Sequence, residues 1–232
     1  MIRENLLKIR ERIASSCAKA GRLNVEVTLV CVSKSRSLEE IQEVLAAGIG
    51  DIAENKVQEA LSHYKAIADR SYARQIKWHM IGHLQTNKVK EAVRIFDLIH
   101  SVDSFRLAEE INKQAAKIDK IQDILVEVNT SQEESKFGVK PGQLLELVKA
   151  IPELKNVRLL GLMTMAAQSA DPQRSRPYFR KLRELKEQIN KLNRPDKLIH
   201  LSMGMSDDFE VAVEEGATLV RIGTAVFEGG RP

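Results

Sequence analysis

Short apolar runs alternate with amphipathic stretches eight times along this chain. An opening segment of about residues 2–20 places Leu6, Ile9, Ile13 and Cys17 on one face, the recurrence expected of a one-sided helix. Strand-like apolar runs follow at 27–33, 51–53, 77–81, 98–102, 123–128, 157–163, 198–201 and 219–222. Between them lie helix-period segments such as 38–47 and 141–150. Ser37 with Glu40 has the spacing of a capping box, and Ser104 and Ser206 are suited to cap later helices through a hydroxyl acceptor. Gly48 and Gly216 stand just past helices, where a left-handed residue is wanted.

Strands that alternate with helices pair in parallel, because each helix returns the chain to the start of the next strand. Eight such units predict a closed (β/α)8 TIM barrel with an extra N-terminal helix. A six-stranded doubly wound sheet is the alternative, but no Gly-x-Gly-x-x-Gly follows the first strand. No Pro/Gly-rich linker divides the 232 residues, so 1–232 is read as one domain, and barrels of this kind commonly run to about 250 residues.

Composition narrows the function more than the fold. A hydrophobic fraction of 43% supports a real core, and the net charge of +4 is too small to imply a nucleic-acid partner. The most basic stretch, Asp171 to Lys197, holds nine Lys or Arg against four acids. Its apolar residues Phe179, Leu182, Leu185, Ile189 and Leu192 recur at helical spacing, so it reads as a solvated outer helix. Cys17 and Cys31 form no metal-type pair. The first twenty residues lack the apolar centre of a signal peptide, and no run suits a membrane span. The expected location is the cytoplasm.

In such a barrel, function gathers where the βα loops converge beyond the strands' carboxyl ends. Those ends carry Lys34, Glu54-Asn55, Gly82-His83, Asn129, Met163-Thr164-Met165, Ser202-Met203-Gly204 and Arg221-Ile222-Gly223-Thr224. Lys34 directly follows the apolar run 27–32. An amine at a desolvated rim loses proton affinity, and its neutral form can form a Schiff base with an aldehyde. Gly223-Thr224, with Ala225 next, offers backbone N–H groups to a phosphate, and Ser206 is expected to open a helix whose N-terminus favours an anion. Barrels often bind phosphate after strands seven and eight. Arg221 ends an apolar strand and needs a partner, either a structural acid or a ligand nitrogen. His83 is a candidate contact. His79 is expected to face away from it, leaving a metal without convergent ligands.

Joined in order, these segments resemble the YggS/PROSC family of pyridoxal phosphate (PLP) homeostasis proteins. The resemblance rests on Val32-Ser33-Lys34, Glu54-Asn55-x-Val57-Gln58-Glu59, Trp78-His79-x-Ile81-Gly82-His83-Leu84-Gln85-x-Asn87-Lys88 and Gly161-Leu162-Met163-Thr164-Met165. Ser202-Met203-Gly204-Met205-Ser206-x-Asp208 and Arg221-Ile222-Gly223-Thr224 complete it, over nearly the whole chain. It implies the alanine-racemase-type barrel, PLP fold type III, without the C-terminal β domain. It also implies that Lys34 forms the internal aldimine, that Ser206, Gly223 and Thr224 hold the phosphate, and that Arg221 meets the pyridine nitrogen. Asn55, His83 and Met165 would lie near the cofactor. Lys136, in Glu133-Glu134-Ser135-Lys136-x-Gly138, matches a family lysine that would take PLP in transit. The chain departs from the pattern at Ala53, usually Gly, at Lys56, often aromatic, and at Arg36, often Lys. Arg cannot form a Schiff base under cellular conditions, so a handover through a second lysine at position 36 is not available.

The racemases that this barrel resembles work as dimers, in which a second domain lends a tyrosine base. This sequence ends at Pro232, eight residues after Thr224, and Tyr64, Tyr72 and Tyr178 fall in predicted helices or connections. The resemblance therefore implies a non-catalytic PLP carrier, monomeric, which passes its cofactor to PLP-dependent apo-enzymes. A monomeric racemase-like PLP enzyme acting on amino acids is the alternative. A nucleic-acid-binding module using the basic stretch ranks third.

Overall fold

The computed structural model describes residues 1–229 apart from 132, 134, 135 and 193–195. Glu134 and Ser135 of the motif before Lys136, and Arg194 of the basic stretch, thus lie outside the described residues. In chain order the elements are α1 (Ile2–Lys19), β1 (Thr28–Val32), α2 (Leu38–Ala46), β2 (Asp51–Glu54), α3 (Val57–Ile67) and β3 (Lys77–Met80). Then come α4 (Val89–Ile95), β4 (Leu98–Val102), α5 (Phe105–Ala116), β5 (Gln122–Glu127) and α6 (Pro141–Ala150). The last are β6 (Val157–Met163), α7 (Arg176–Asn190), β7 (His200–Ser202), α8 (Phe209–Glu214) and β8 (Leu219–Ile222).

All strands are parallel and neighbours in sequence are neighbours in the sheet. The barrel closes where β1 meets β8, with Val30 opposite Arg221 and Cys31 opposite Ile222. Alternation along each strand makes two apolar layers. Val30, Ala53, Leu98, Leu125, Met163 and Leu219 form one buried cluster, which is the barrel interior. Their strand neighbours, among them Cys31, Ile52, Trp78, Met80, Ile99, Ile124 and Val220, join the helices in a second cluster. Fully burying a Leu or Ile in such a layer contributes roughly 1.5–3 kcal/mol.

The opening helix buries Leu6, Ile9, Ile13 and Cys17 as the spacing predicts. It docks on the last βα unit: Asn5 Nδ2 donates to Val226 O at 2.9 Å, and just beyond the helix Arg22 donates to Val213 O and Ala217 O at 2.7 and 2.9 Å. The Ser37–Glu40 capping box is formed in both directions and Ser104 caps α5. Gly48 and Gly216 take φ of +81° and +99°. On α7, Phe179, Leu182, Leu185 and Ile189 are buried, while Arg176, Arg180 and Arg183 all reach the buried carboxylate of Glu215. These three arginines thus hold α7 against the end of α8.

Two expectations are corrected. The seventh strand is His200–Ser202 rather than 198–201, because the Leu198 N–H is taken by the Asn190 side chain at 2.8 Å. Ser206 does not cap α8: that helix starts at Phe209 behind Asp208, and Ser206 lies in the preceding turn. His79 does not line the mouth cavity with His83, as expected, and the structure places it in the barrel interior. Trp78 and Met80 join the outer layer, so the residue between them points inward, where it is 3% exposed.

Candidate functional site at the barrel mouth

Beyond the carboxyl ends of the strands lies a cavity of about 340 Å³. Lys34, Asn55, His83, Met165, Ser206, Arg221, Gly223 and Thr224 all line it, so every residue assigned to the cofactor from the sequence reaches one space. The loops after β1, β2, β3, β5, β6, β7 and β8 each contribute.

Lys34 sits in a turn closed by the Arg36 N–H donating to Ser33 O at 3.0 Å, and Ser35 after it takes a left-handed φ of +58°. The preceding residue anchors the turn. Ser33 is wholly buried, and its hydroxyl donates to Glu54 Oε1 at 2.6 Å, where His63 Nδ1 also lies at 2.8 Å. Lys34 itself is exposed, so the desolvated rim expected from the apolar run is not its environment: burial stops at Ser33. Arg36 is drawn across to the last loop, paired with Glu228 and with its guanidinium 4.7 Å from the centre of the Phe227 ring.

On the β2–β3 side, the two loops press together. A Cβ on Gly82 would stand 2.2 Å from Asn55 O, closer than any side chain tolerates, so only glycine lets Asn55 and His83 share the wall. The His83 ring stacks on Phe137, with centroids 4.0 Å apart and planes 12° from parallel, and its Nδ1 lies 3.6 Å from Asp103 Oδ2.

The floor carries opposed charges. Arg221 is 3% exposed, donating to Ser202 Oγ at 2.6 Å and Thr164 O at 3.0 Å. Burial lowers its pKa to about 10, against the stabilising carboxylates of Glu127 and Asp208. Glu127, also 3% exposed and lining the cavity, is pushed up to about 7 by burial; Arg221 opposes the shift and Asp103 adds to it. On the far side, Ser206 Oγ accepts the Ala225 N–H at 3.2 Å, which joins the turn after β7 to Gly223-Thr224.

Sequence reasoning did not single out Glu127 or Phe137, both of which line the cavity. Glu127 was within reach, as the last residue of a strand. Asn129, named at a strand end, instead holds its own loop, donating to Glu133 O and Lys136 O at 2.8 and 3.3 Å. Lys136 is outside the lining and pairs with Glu133 at 2.9 Å. Its cation holds the Glu133 carboxyl below its usual range. Among the described residues no His, Cys, Asp and Glu group is placed to hold a metal.

The profile of the alanine racemase N-terminal domain matches residues 2–232. The chain is 48% identical over 224 residues to a protein of Aquifex aeolicus named pyridoxal phosphate homeostasis protein, covering 97% of this chain and 96% of that one. The structure of PipY from Synechococcus elongatus with PLP bound superposes with a TM-score of 0.82 at 33% identity, covering 98% of this chain and 100% of PipY. Alanine racemase of Clostridium difficile superposes at 0.76 with 12% identity, a likeness of fold, and this chain covers 58% of it.

Proposed function

The chain belongs to the alanine racemase N-terminal domain family, among its pyridoxal phosphate homeostasis proteins, and from that premise we propose that it binds PLP at the barrel mouth and takes part in intracellular PLP homeostasis. The observation that carries this reading is the convergence on one cavity of a lysine amine, a buried guanidinium and the Ser206–Gly223–Thr224 corner. Those residues suit the group. A primary amine faces the space that would hold an aldehyde. A hydroxyl and a glycine-led turn stand where barrels favour phosphate.

When bound, PLP supplies an aldehyde that condenses reversibly with an amine, forming a carbon–nitrogen double bond and releasing its oxygen as water. Lys34 would provide the amine, and Ser206, Gly223 and Thr224 would grip the phosphate. Asn55, His83 and Met165 would border the ring, and Arg221 would donate to its nitrogen. A donor-only cation there keeps that nitrogen unprotonated, which weakens the cofactor as an electron sink. The reading is therefore a carrier: capture protects the aldehyde, and reversal releases it to PLP-dependent apo-enzymes. Lys136, paired beside the mouth, would serve PLP in transit. The protein would act as a monomer in the cytoplasm. Among the described residues no helix is long and apolar enough to cross a membrane. The arginines of α7 that would serve a polyanion are engaged by Glu214 and Glu215.

Borohydride reduction of the PLP-saturated protein followed by peptide mass mapping tests the reading. Label on Lys34 supports it, and label elsewhere with Lys34 free overturns it. One observation favours a second reading, a PLP enzyme acting on amino acids: Glu127 is an acid pushed up to about 7 within the cavity, a value suited to proton transfer. Deuterium incorporation at the α-carbon of a panel of amino acids would decide for that enzyme, and its absence for the carrier.

A further inference from the structure

Three polar side chains stand inside the barrel where aliphatic ones would ordinarily pack: His79, His100 and Ser202 are 3%, 0% and 0% exposed. They are joined end to end. Asp51, at the amino end of β2 and partly open to solvent, has Oδ1 3.0 Å from His79 Nε2. His79 Nδ1 lies 2.9 Å from His100 Nε2, and His100 Nδ1 lies 2.8 Å from Ser202 Oγ. Arg221 Nη1 donates to that hydroxyl at 2.6 Å. The connection thus runs from the closed end of the barrel to a guanidinium lining its mouth.

The two ends fix where every proton lies. Arg only donates and an ionised carboxylate only accepts. Ser202 Oγ accepts from Arg221, so its own hydrogen goes to His100 Nδ1. His100 is held neutral, because burial, then the neighbouring His79, Arg221 and His200, push its pKa well below the usual value. A neutral imidazole that accepts at Nδ1 carries its proton on Nε2, and that proton meets His79 Nδ1. By the same step His79 carries its proton on Nε2, facing Asp51. The reverse order would leave the Ser202 proton without a partner among the described residues and require His79 to be protonated on both nitrogens.

We propose that Asp51, His79, His100 and Ser202 are a positioning relay that fixes the Arg221 guanidinium against the PLP ring nitrogen. None of the four touches the ligand except through Arg221. Each acceptor lone pair in the chain faces the mouth, so the carboxylate at the far end of the barrel orients the whole chain of hydrogen bonds toward Arg221, whose charge is stabilised by Glu127 and Asp208. The inference rests on the reading that this cavity holds PLP. It adds the means by which the barrel interior sets the character of the site, toward holding and release.

The test starts with ¹⁵N NMR of the histidine rings in the ligand-free wild type near neutral pH. His79 and His100 are expected as neutral Nε2–H tautomers; a proton on His100 Nδ1, or an imidazolium at His79, overturns the relay. Asp51→Ala is the perturbation, at a partly exposed position away from the cavity. It is expected to disturb the His79 and His100 ring signals and to speed PLP loss about tenfold, the scale on which partners behind a ligand-holding group act, with Lys34 still trapped by borohydride. Unchanged ring signals and unchanged PLP retention in this variant overturn the proposal. Relay tautomers in place with no label at Lys34 overturn the ligand assignment while upholding the relay's proton order.

Discussion

Ser33 and Glu54 share a 2.6 Å hydrogen bond with both side chains sealed from solvent, one residue before the lysine assigned to PLP. The bond ties the end of β1 to the end of β2, so the turn carrying Lys34 leaves the barrel from a fixed point. Ser33→Ala would leave Glu54 Oε1 with His63 as its partner and cost about 1–3 kcal/mol, the usual penalty for stripping a buried acceptor of a donor. Urea unfolding should show that loss. PLP should also dissociate faster from the variant, because the amine would no longer be held at one exit angle. Ser33→Thr, which keeps the hydroxyl, should recover part of the retention. Retention equal to wild type in the Ala variant would remove the anchoring role.

The His83–Phe137 stack joins a strand-end loop to a loop more than fifty residues later, and Phe137 remains half open to solvent. A stacked aromatic pair contributes about 0.5–1.5 kcal/mol beyond the area it buries. Phe137→Ala is accordingly expected to leave the melting temperature nearly unchanged and to weaken PLP retention by a few-fold. Phe137→Leu keeps the bulk without the ring face and should not recover the loss. Calorimetry and PLP release, followed together on the variants, separate a ligand wall from a packing contact.

Much of the fold was legible because uninterrupted apolar runs ended where the barrel ends. The strands at Leu98–Val102, Val157–Met163 and Leu219–Ile222 match the expected bounds, Asn55 and Gly223 are the first residues past their strands, and Lys34 is the second past β1. What failed was orientation. His79 was read only as turned away from His83, and that it lies inside the barrel is revealed by the positions of Trp78 and Met80 in the outer layer. Phe137 reaches the cavity by loop folding that no local period encodes. Glu127 follows the alternation of its strand, two residues after the interior Leu125, but the strand was expected to run on to Val128. The residue facing the mouth was therefore sought too late in the chain, at Asn129. Ser206 resembled a cap because a hydroxyl preceded a helical run, but Asp208 holds the N-cap position and its carboxylate takes the Met205 N–H at 2.7 Å.

Gly82→Ala should be among the more damaging single changes at the mouth. The added methyl would meet the Asn55 carbonyl at 2.2 Å, and backbone on both sides leaves no flexible side chain to give way. Overpacking of this kind costs about 1–3 kcal/mol or more. The expected result is a lower melting temperature together with reduced PLP affinity, since Asn55 and His83 must separate. A variant of wild-type stability that binds PLP normally would mean that the two loops can part without consequence.

Glu127 gives the folded protein a pH dependence whose sign is set by its burial. Its pKa rises from 4.5 to about 7 on folding, with desolvation the main cause and the Arg221 cation a partial offset. A carboxyl shifted upward contributes stability that is fully present below its unfolded pKa and is lost as pH rises through the folded value. Between about pH 4.5 and 7, therefore, this one group should withdraw roughly 3 kcal/mol from folding, at 1.36 kcal/mol per pKa unit. Glu127→Gln keeps the shape and cannot ionise. Urea unfolding of ligand-free wild type and variant across that window should give curves whose difference moves in the variant's favour as pH rises, levelling above pH 7. Parallel curves would show that Glu127 stays ionised throughout, held by Arg221. An acid of that kind could not donate a proton in the cavity, and the racemase-like reading would lose its one supporting group.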